Sequence, residues 1–204
     1  ESLETFKRFY NDFDFYNGWR ITTARNNLRG EVIRDKPYVN RIRELFAEKK
    51  LFRRNISIAE IVSILDSYSI MNRVFKELRK LCTDEEWSKI MLYSEYKIYF
   101  SKNRRIDFVL IYGNRILLIE FRVSNVFPNV STVWQKKENE LLVYKELLKN
   151  YLPDDNKIHL YAFIAMSEYE GRTPIPKHIK YNDDNALFFA EYIFQFIISR
   201  NFLV

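Results

Sequence analysis

Cysteine, histidine, glycine and proline are all scarce in this chain. One cysteine, Cys82, and two histidines, His159 and His178, cannot build a Cys-rich zinc site, a c-type haem attachment or an internal disulfide. So low a cysteine count fits a reducing compartment. The four glycines lie far apart and form no phosphate-cradling loop, so ATP hydrolysis by this chain alone is not expected. With only five prolines as well, the sequence is neither collagen-like nor of low complexity, and it lacks the special turn residues of a loop-dominated β-barrel. Long apolar runs are missing too. The longest, 186–198, is interrupted by Glu191 and Gln195 at helical spacing, and no apolar leader opens the sequence; we therefore expect a cytoplasmic chain that does not enter a membrane.

What is present is a large aromatic load, 17 Phe and 14 Tyr in 204 residues, enough for one sizeable core. The charge balance is 33 Lys and Arg against 27 Asp and Glu, a net +6, and residues 1–55 alone hold 13 basic and 8 acidic side chains. That skew suits a polyanionic partner but is also ordinary for solubility. The first residue is Glu1 rather than Met, which suits a domain cut from something larger; other domains of such a protein, or a second copy in a homodimer, are the further partners considered.

The first half reads as helical. Asp35 and Pro37 mark a helix start ahead of Val39, Ile42, Leu45 and Phe46. Ser57 with Glu60 forms a capping box before a helical stripe of Ile61, Ile64, Leu65, Tyr68, Met71 and Phe75, and Thr83 with Glu86 opens a short second helix. Near residue 93 the period changes. Tyr93–Phe100, Arg105–Tyr112 and Arg115–Val123 read as a three-stranded meander with turns at 101–103 and at Gly113-Asn114. A helix over about 133–151 presents Leu141, Tyr144, Leu148 and Leu152. A fourth strand, Lys157–Met166, is apolar enough to be buried on both faces; a loop over 167–182 and a helix over about 184–200 complete the chain. The expected architecture is α/β, with a helical N-terminal section over 1–82 packed on a core over 83–204 and a mixed sheet of about four strands flanked by helices.

Two strands carry a carboxylate inside an otherwise apolar run: Asp107 in RIDFVLI and Glu120 in LLIEFR. Buried charge is costly unless paired or bound to a cation. If Gly113-Asn114 is a two-residue turn, Tyr112 faces Arg115, Asp107 faces Glu120 and Arg105 faces Arg122. Two facing carboxylates repel unless a proton or cation lies between them. Such an oxygen pair suits Mg²⁺ or Mn²⁺ with sites left open for a phosphate. The competing reading is an ordinary salt-bridge ladder of Asp107 and Glu120 with Arg105 and Arg122. Ordinary edge and turn solvation likewise competes with phosphate contact for Lys97, Lys102, Arg104, Arg105, Arg115 and Arg122; Lys136 is a further candidate for nucleic-acid contact.

The segment RIDFVLIYGNRILLIEFR, followed by a helix and a further strand, resembles the central hairpin of the PD-(D/E)xK nuclease superfamily, over about residues 84–166. The resemblance implies a restriction-endonuclease-like fold and Mg²⁺- or Mn²⁺-dependent phosphodiester cleavage, with DNA as the nucleic-acid partner. It places Asp107 and Glu120, with the main chain of Phe121, at the metal, and Arg122 where the family has Lys. It puts Gln135, Lys136 or Lys137 at the start of the following helix beside the site, and it implies a further Glu, for which Glu44, Glu77, Glu85 and Glu86 are candidates. Because a guanidinium stays protonated, Arg122 could only position or neutralise charge. The lysine's role could instead have moved to Lys97, which would face Asp107 across a short loop, or to Lys136 or Lys137. The alternatives are a catalytically inactive nuclease-like module that binds nucleic acid or a protein, and a helical interaction domain with a purely structural hairpin.

Overall fold

The computed structural model describes residues 44, 57–98, 104–124, 130–166 and 183–199. The helix expected from Asp35, Lys102 and the loop over 167–182 lie outside the described residues. In order, the elements are α1 (Ile58–Leu81), α2 (Asp84–Ser88), β1 (Met91–Lys97), β2 (Arg105–Tyr112), β3 (Arg115–Ser124), α3 (Val130–Lys149), β4 (Lys157–Met166) and α4 (Asp183–Ile193), the last running into a π-helical turn over Phe194–Ile198.

The strands form one mixed sheet in the order β1-β2-β3-β4, antiparallel except for the β3–β4 pair. A parallel pair needs a crossover, and α3 supplies it. The β2–β3 turn forms as expected, with Tyr112 facing Arg115. Of its two central residues only Gly113 takes positive φ, 59°, the pattern of a type II′ turn. Asn114 then accepts from the Lys157 N–H at 2.8 Å, which fixes the start of β4 beside the turn.

Helices cover both faces of the sheet. On one face Phe108, Leu110, Leu117, Ile119, Phe121 and Phe163 pack with Ile64, Met71, Phe75 and Leu78 of α1 and with Phe189 and Ile193 of α4. On the other, Val109, Ile116 and Leu118 pack with Leu141 and Tyr144 of α3. Burying each of these large apolar side chains contributes about 1.5–3 kcal/mol. Strand β4 corrects the sequence reading: from Ile158 to Ala162 it is only half-buried, because it is the edge strand, although Tyr161 stacks on Phe189 at 3.9 Å. Cys82 is buried and its thiol pushed up to about 11, first by burial and then by Glu86.

Ser57 and Thr83 both cap their helices, but of the two expected capping boxes only the second forms. The Thr83–Glu86 box closes in both directions. Ser57 accepts from the Glu60 N–H, yet the Glu60 carboxylate does not reciprocate; it turns to Arg105 on β2, 2.5 Å away. The polar end of the sheet takes this side chain from the cap. Among the described residues, no helix is long and apolar enough to cross a membrane.

Candidate functional site

Asp107 lies near the start of β2 and Glu120 near the end of β3, at the end of the sheet away from the Gly113 turn. The expected register holds from Tyr112–Arg115 to Phe108–Ile119 and then stops, one pair short of Asp107 and Glu120. The two residues therefore meet differently from the simple facing pair expected. The Asp107 N–H donates to Glu120 Oε1 at 3.3 Å, and the Phe121 N–H donates to Asp107 Oδ2 at 2.7 Å. Each carboxylate thus accepts a main-chain N–H of the other strand where the ladder has stopped. Glu120 is buried at 2% exposure, while Asp107 keeps part of its surface open.

The β1–β2 register corrects a second expectation. Lys97 faces Arg105, and the position across from Asp107 falls to Glu95. The connection is longer than a three-residue turn, with the Ile98 N–H donating to the Arg104 carbonyl at 3.0 Å, and this moves the register by two residues. Glu95 itself takes φ 51°, the described non-glycine residue with positive φ, and it does not pair in the ladder. A left-handed residue interrupts the in-out alternation of a strand: Tyr93 and Tyr96, of opposite parity, both pack on the α3 side. Glu95 is 5% exposed and its carboxylate meets the Arg105 guanidinium at 2.9 Å.

Arg105 therefore bridges Glu60 of α1 and Glu95 of β1 and does not stand opposite Arg122. Arg122 is exposed, aligned with Ile164 of β4, and is not among the partners of Glu120. That partner is Lys137, projecting from α3, whose ammonium lies 2.6 Å from Glu120 and 2.8 Å from Glu140. Of the sequence alternatives for a relocated lysine, the structure brings Lys137 to the acid pair. Gln135, Lys136 and Arg104 line the same cavity, of about 820 Å³, together with Glu95, Arg105, Asp107, Glu120 and Tyr144. A smaller cavity of about 210 Å³, on the α1 side, is bordered by Glu60, Ser63, Phe121 and Arg122, and the two share Glu95, Arg105, Asp107 and Lys137. Arg115 is occupied elsewhere, donating to the carbonyls of Ile197 and Ser199.

Of the four glutamates considered as an additional acid, Glu77 binds Lys80, Glu85 binds Lys89 and Glu86 closes its cap, and neither cavity is lined by these or by Glu44. Glu60, Glu95 and Glu140 occupy the neighbourhood instead. Glu95 carries a sequence signal like that of Asp107, a carboxylate within a strand, whereas Glu60 is disguised as a cap residue and Glu140 as solvated helix surface.

Burial is the main influence on all three strand carboxylates. It raises Glu95 to about 8, with Asp107 adding to the rise and Arg105 opposing it. It raises Glu120 to about 8, with Asp107 again adding and Lys137 opposing. Asp107 is also raised by burial, against the Phe121 N–H, Lys137 and Arg105. Burial pulls Lys137 down, but Glu120 and Glu140 outweigh it and leave the ammonium more firmly protonated than a free lysine. Around these three acids Arg105 bridges Glu60 and Glu95, and Lys137 bridges Glu120 and Glu140.

Among the described residues no group of three or more His, Cys, Asp or Glu side chains is arranged to hold a metal. The donor chemistry still suits a hard divalent ion, since Mg²⁺ commonly takes one or two carboxylates and completes its shell with water and phosphate. Comparison with family models, curated proteins and solved structures gives no match.

Proposed function

We propose that this chain is a metal-dependent nuclease on a restriction-endonuclease-like core, hydrolysing phosphodiester bonds, with DNA as its substrate. The observation that carries the reading is the interlocked Asp107–Glu120 pair with the Lys137 ammonium 2.6 Å from Glu120, at the base of a cavity whose rim bears Arg104 and Lys136. The order helix, three-stranded meander, helix, parallel strand supports it as well.

In this reading Asp107 and Glu120, beside the main chain of Phe121, hold Mg²⁺ or Mn²⁺. When bound, the ion supplies Lewis-acid polarisation of the phosphate and of the attacking water. The protein's own groups do the rest. Lys137 stays cationic and stabilises charge developing on the phosphoryl oxygens; held so firmly protonated, it is unsuited to act as a base. Arg104 and Lys136 contact neighbouring phosphates and so make binding depend on salt. Arg105 holds Glu95 against the pair.

The test is incubation of plasmid DNA, single-stranded DNA and RNA with the protein and Mg²⁺ or Mn²⁺. Cleavage should appear with the metal and fall at least about a hundredfold in Asp107→Asn and Glu120→Gln. Salt-sensitive binding without cleavage would replace this reading with that of an inactive nucleic-acid-binding module. Absence of both would defeat it.

A further inference from the structure

Lys137 is shared between two carboxylates of unlike character. Glu120, 3% exposed in its side chain, is held by the Asp107 N–H within the sheet, whereas Glu140, 34% exposed, lies one turn along the same helix and lines the large cavity. Residues three apart on a helix are neighbours, so the ammonium can pass from one partner to the other by rotating its own side-chain torsions, with no backbone displacement. A divalent ion approaching Glu120 meets an ammonium already there, and two cations within about 4 Å repel strongly in a partly buried site. The lysine side chain is only 19% exposed. An ammonium displaced from Glu120 with no second partner would be left buried and unpaired, which is costly.

We propose that Glu140 is a positioning residue of the nuclease site, receiving the Lys137 ammonium when a divalent cation takes Glu120 and keeping that ammonium charged and facing the cavity. This inference rests on the metal reading of the Asp107–Glu120 pair. It explains why the cation that competes with the metal need not be lost from the site: the same side chain that neutralises Glu120 in the empty state is held beside the phosphate position in the loaded one.

The experiment is an Mn²⁺ titration of the whole chain, following the free-ion electron paramagnetic resonance signal, with no nucleic acid present and with each variant's fold checked by circular dichroism. Asp107→Asn should abolish binding. Lys137→Met removes the competitor and should tighten Mn²⁺ binding about tenfold, whereas Glu140→Gln, which strands the displaced ammonium, should weaken it by about threefold to tenfold. The double variant should bind like Lys137→Met alone, because Glu140 acts only through the lysine. Glu140→Asp, which keeps a carboxylate, should stay near wild type, and if Lys137→Met does not fold, Lys137→Gln takes its place in the comparison. Equal weakening by Glu140→Gln with and without Lys137 would make Glu140 a direct ligand and overturn the hand-over. Wild-type binding that Lys137→Met fails to tighten would overturn it too, and leave the metal reading intact. No Mn²⁺ binding by wild type or any variant would remove both.

Discussion

Asp107 and Glu120 are joined by an exchange of main-chain contacts: the Asp107 N–H donates to the Glu120 carboxylate at 3.3 Å, and the Asp107 carboxylate accepts from the Phe121 N–H at 2.7 Å. The arrangement makes each acid part of the backbone hydrogen-bond account of the sheet, so neither can be removed without leaving a buried donor unpaired. Their closeness is therefore built into the strand pair. Burial raises both acids, and the neighbouring cations, Lys137 for both and Arg105 for Asp107, oppose it.

The division of labour between Lys137 and Arg122 has a kinetic signature. Arg122 is exposed and borders the smaller cavity, whereas Lys137 touches Glu120 directly. Arg122→Lys should leave the cleavage rate within about twofold of wild type, while Lys137→Met should lower it by about 10²–10³-fold. Single-turnover rates at saturating Mg²⁺ would measure both. A large gain in Arg122→Lys would show that the motif position, and not the helix lysine, governs the reaction.

Stability should fall as pH rises from about 4.5 to about 8. Burial raises Glu95 and Glu120 from 4.5 to about 8 in the folded chain, so across that window the folded state holds more protons than the unfolded one. The stabilisation is complete below the unfolded value and is lost as pH climbs through the folded one. Urea denaturation at pH 5, 6.5 and 8 should show a loss of up to about 1.4 kcal/mol per pH unit for each group, and Glu95→Gln should flatten the curve. A wild-type stability that rises over this interval would mean that Arg105 and Lys137 already neutralise the acids.

Arg105 links α1, β1 and the acid pair, and its two partners should respond unequally to its loss. The Glu95 side chain is 6% exposed and that of Glu60 is 35% exposed. Arg105→Met removes the cation from buried Glu95 and should cost more than Glu60→Gln, which should cost about 1 kcal/mol or less. Thermal melts of the two variants would rank them, and comparable losses would mean that the Glu60 contact carries more weight than its exposure suggests.

The β2–β3 turn offers a purely conformational test. A Cβ added at Gly113 would meet nothing within 4 Å, yet φ there is 59°. Gly113→Ala should therefore destabilise by about 1 kcal/mol through backbone strain alone, and Gly113→Asn by less, because Asn tolerates left-handed backbone better. Equal melting temperatures for all three would show that the turn relaxes to another type.

Asp107 and Glu120 were visible in the sequence because each interrupts an apolar strand, and the two-residue turn between them restricted the register. The β1 side was not visible in the same way. Whether Lys97 or Glu95 stands across from Asp107 depends on the length of the 98–104 connection, and no local pattern distinguishes a three-residue turn from a longer one. Glu60 read as half of a capping box because its spacing from Ser57 permits one; that its carboxylate prefers Arg105 is a decision made between elements 45 residues apart.

By itself, then, the sequence determined the helices among the described residues, the meander, the fourth strand and the two acids at the polar end, since hydrophobic period, caps and turn residues act over a few neighbouring positions. Only the tertiary structure decided that Lys137, and not Arg122, neutralises Glu120, and that Glu95 is buried beside the pair. Those outcomes depend on the rotation of α3 over the sheet and on a left-handed residue in β1. Both are set by packing and charge balance among segments far apart in the chain, where each side chain's best partner depends on what its neighbours have already taken.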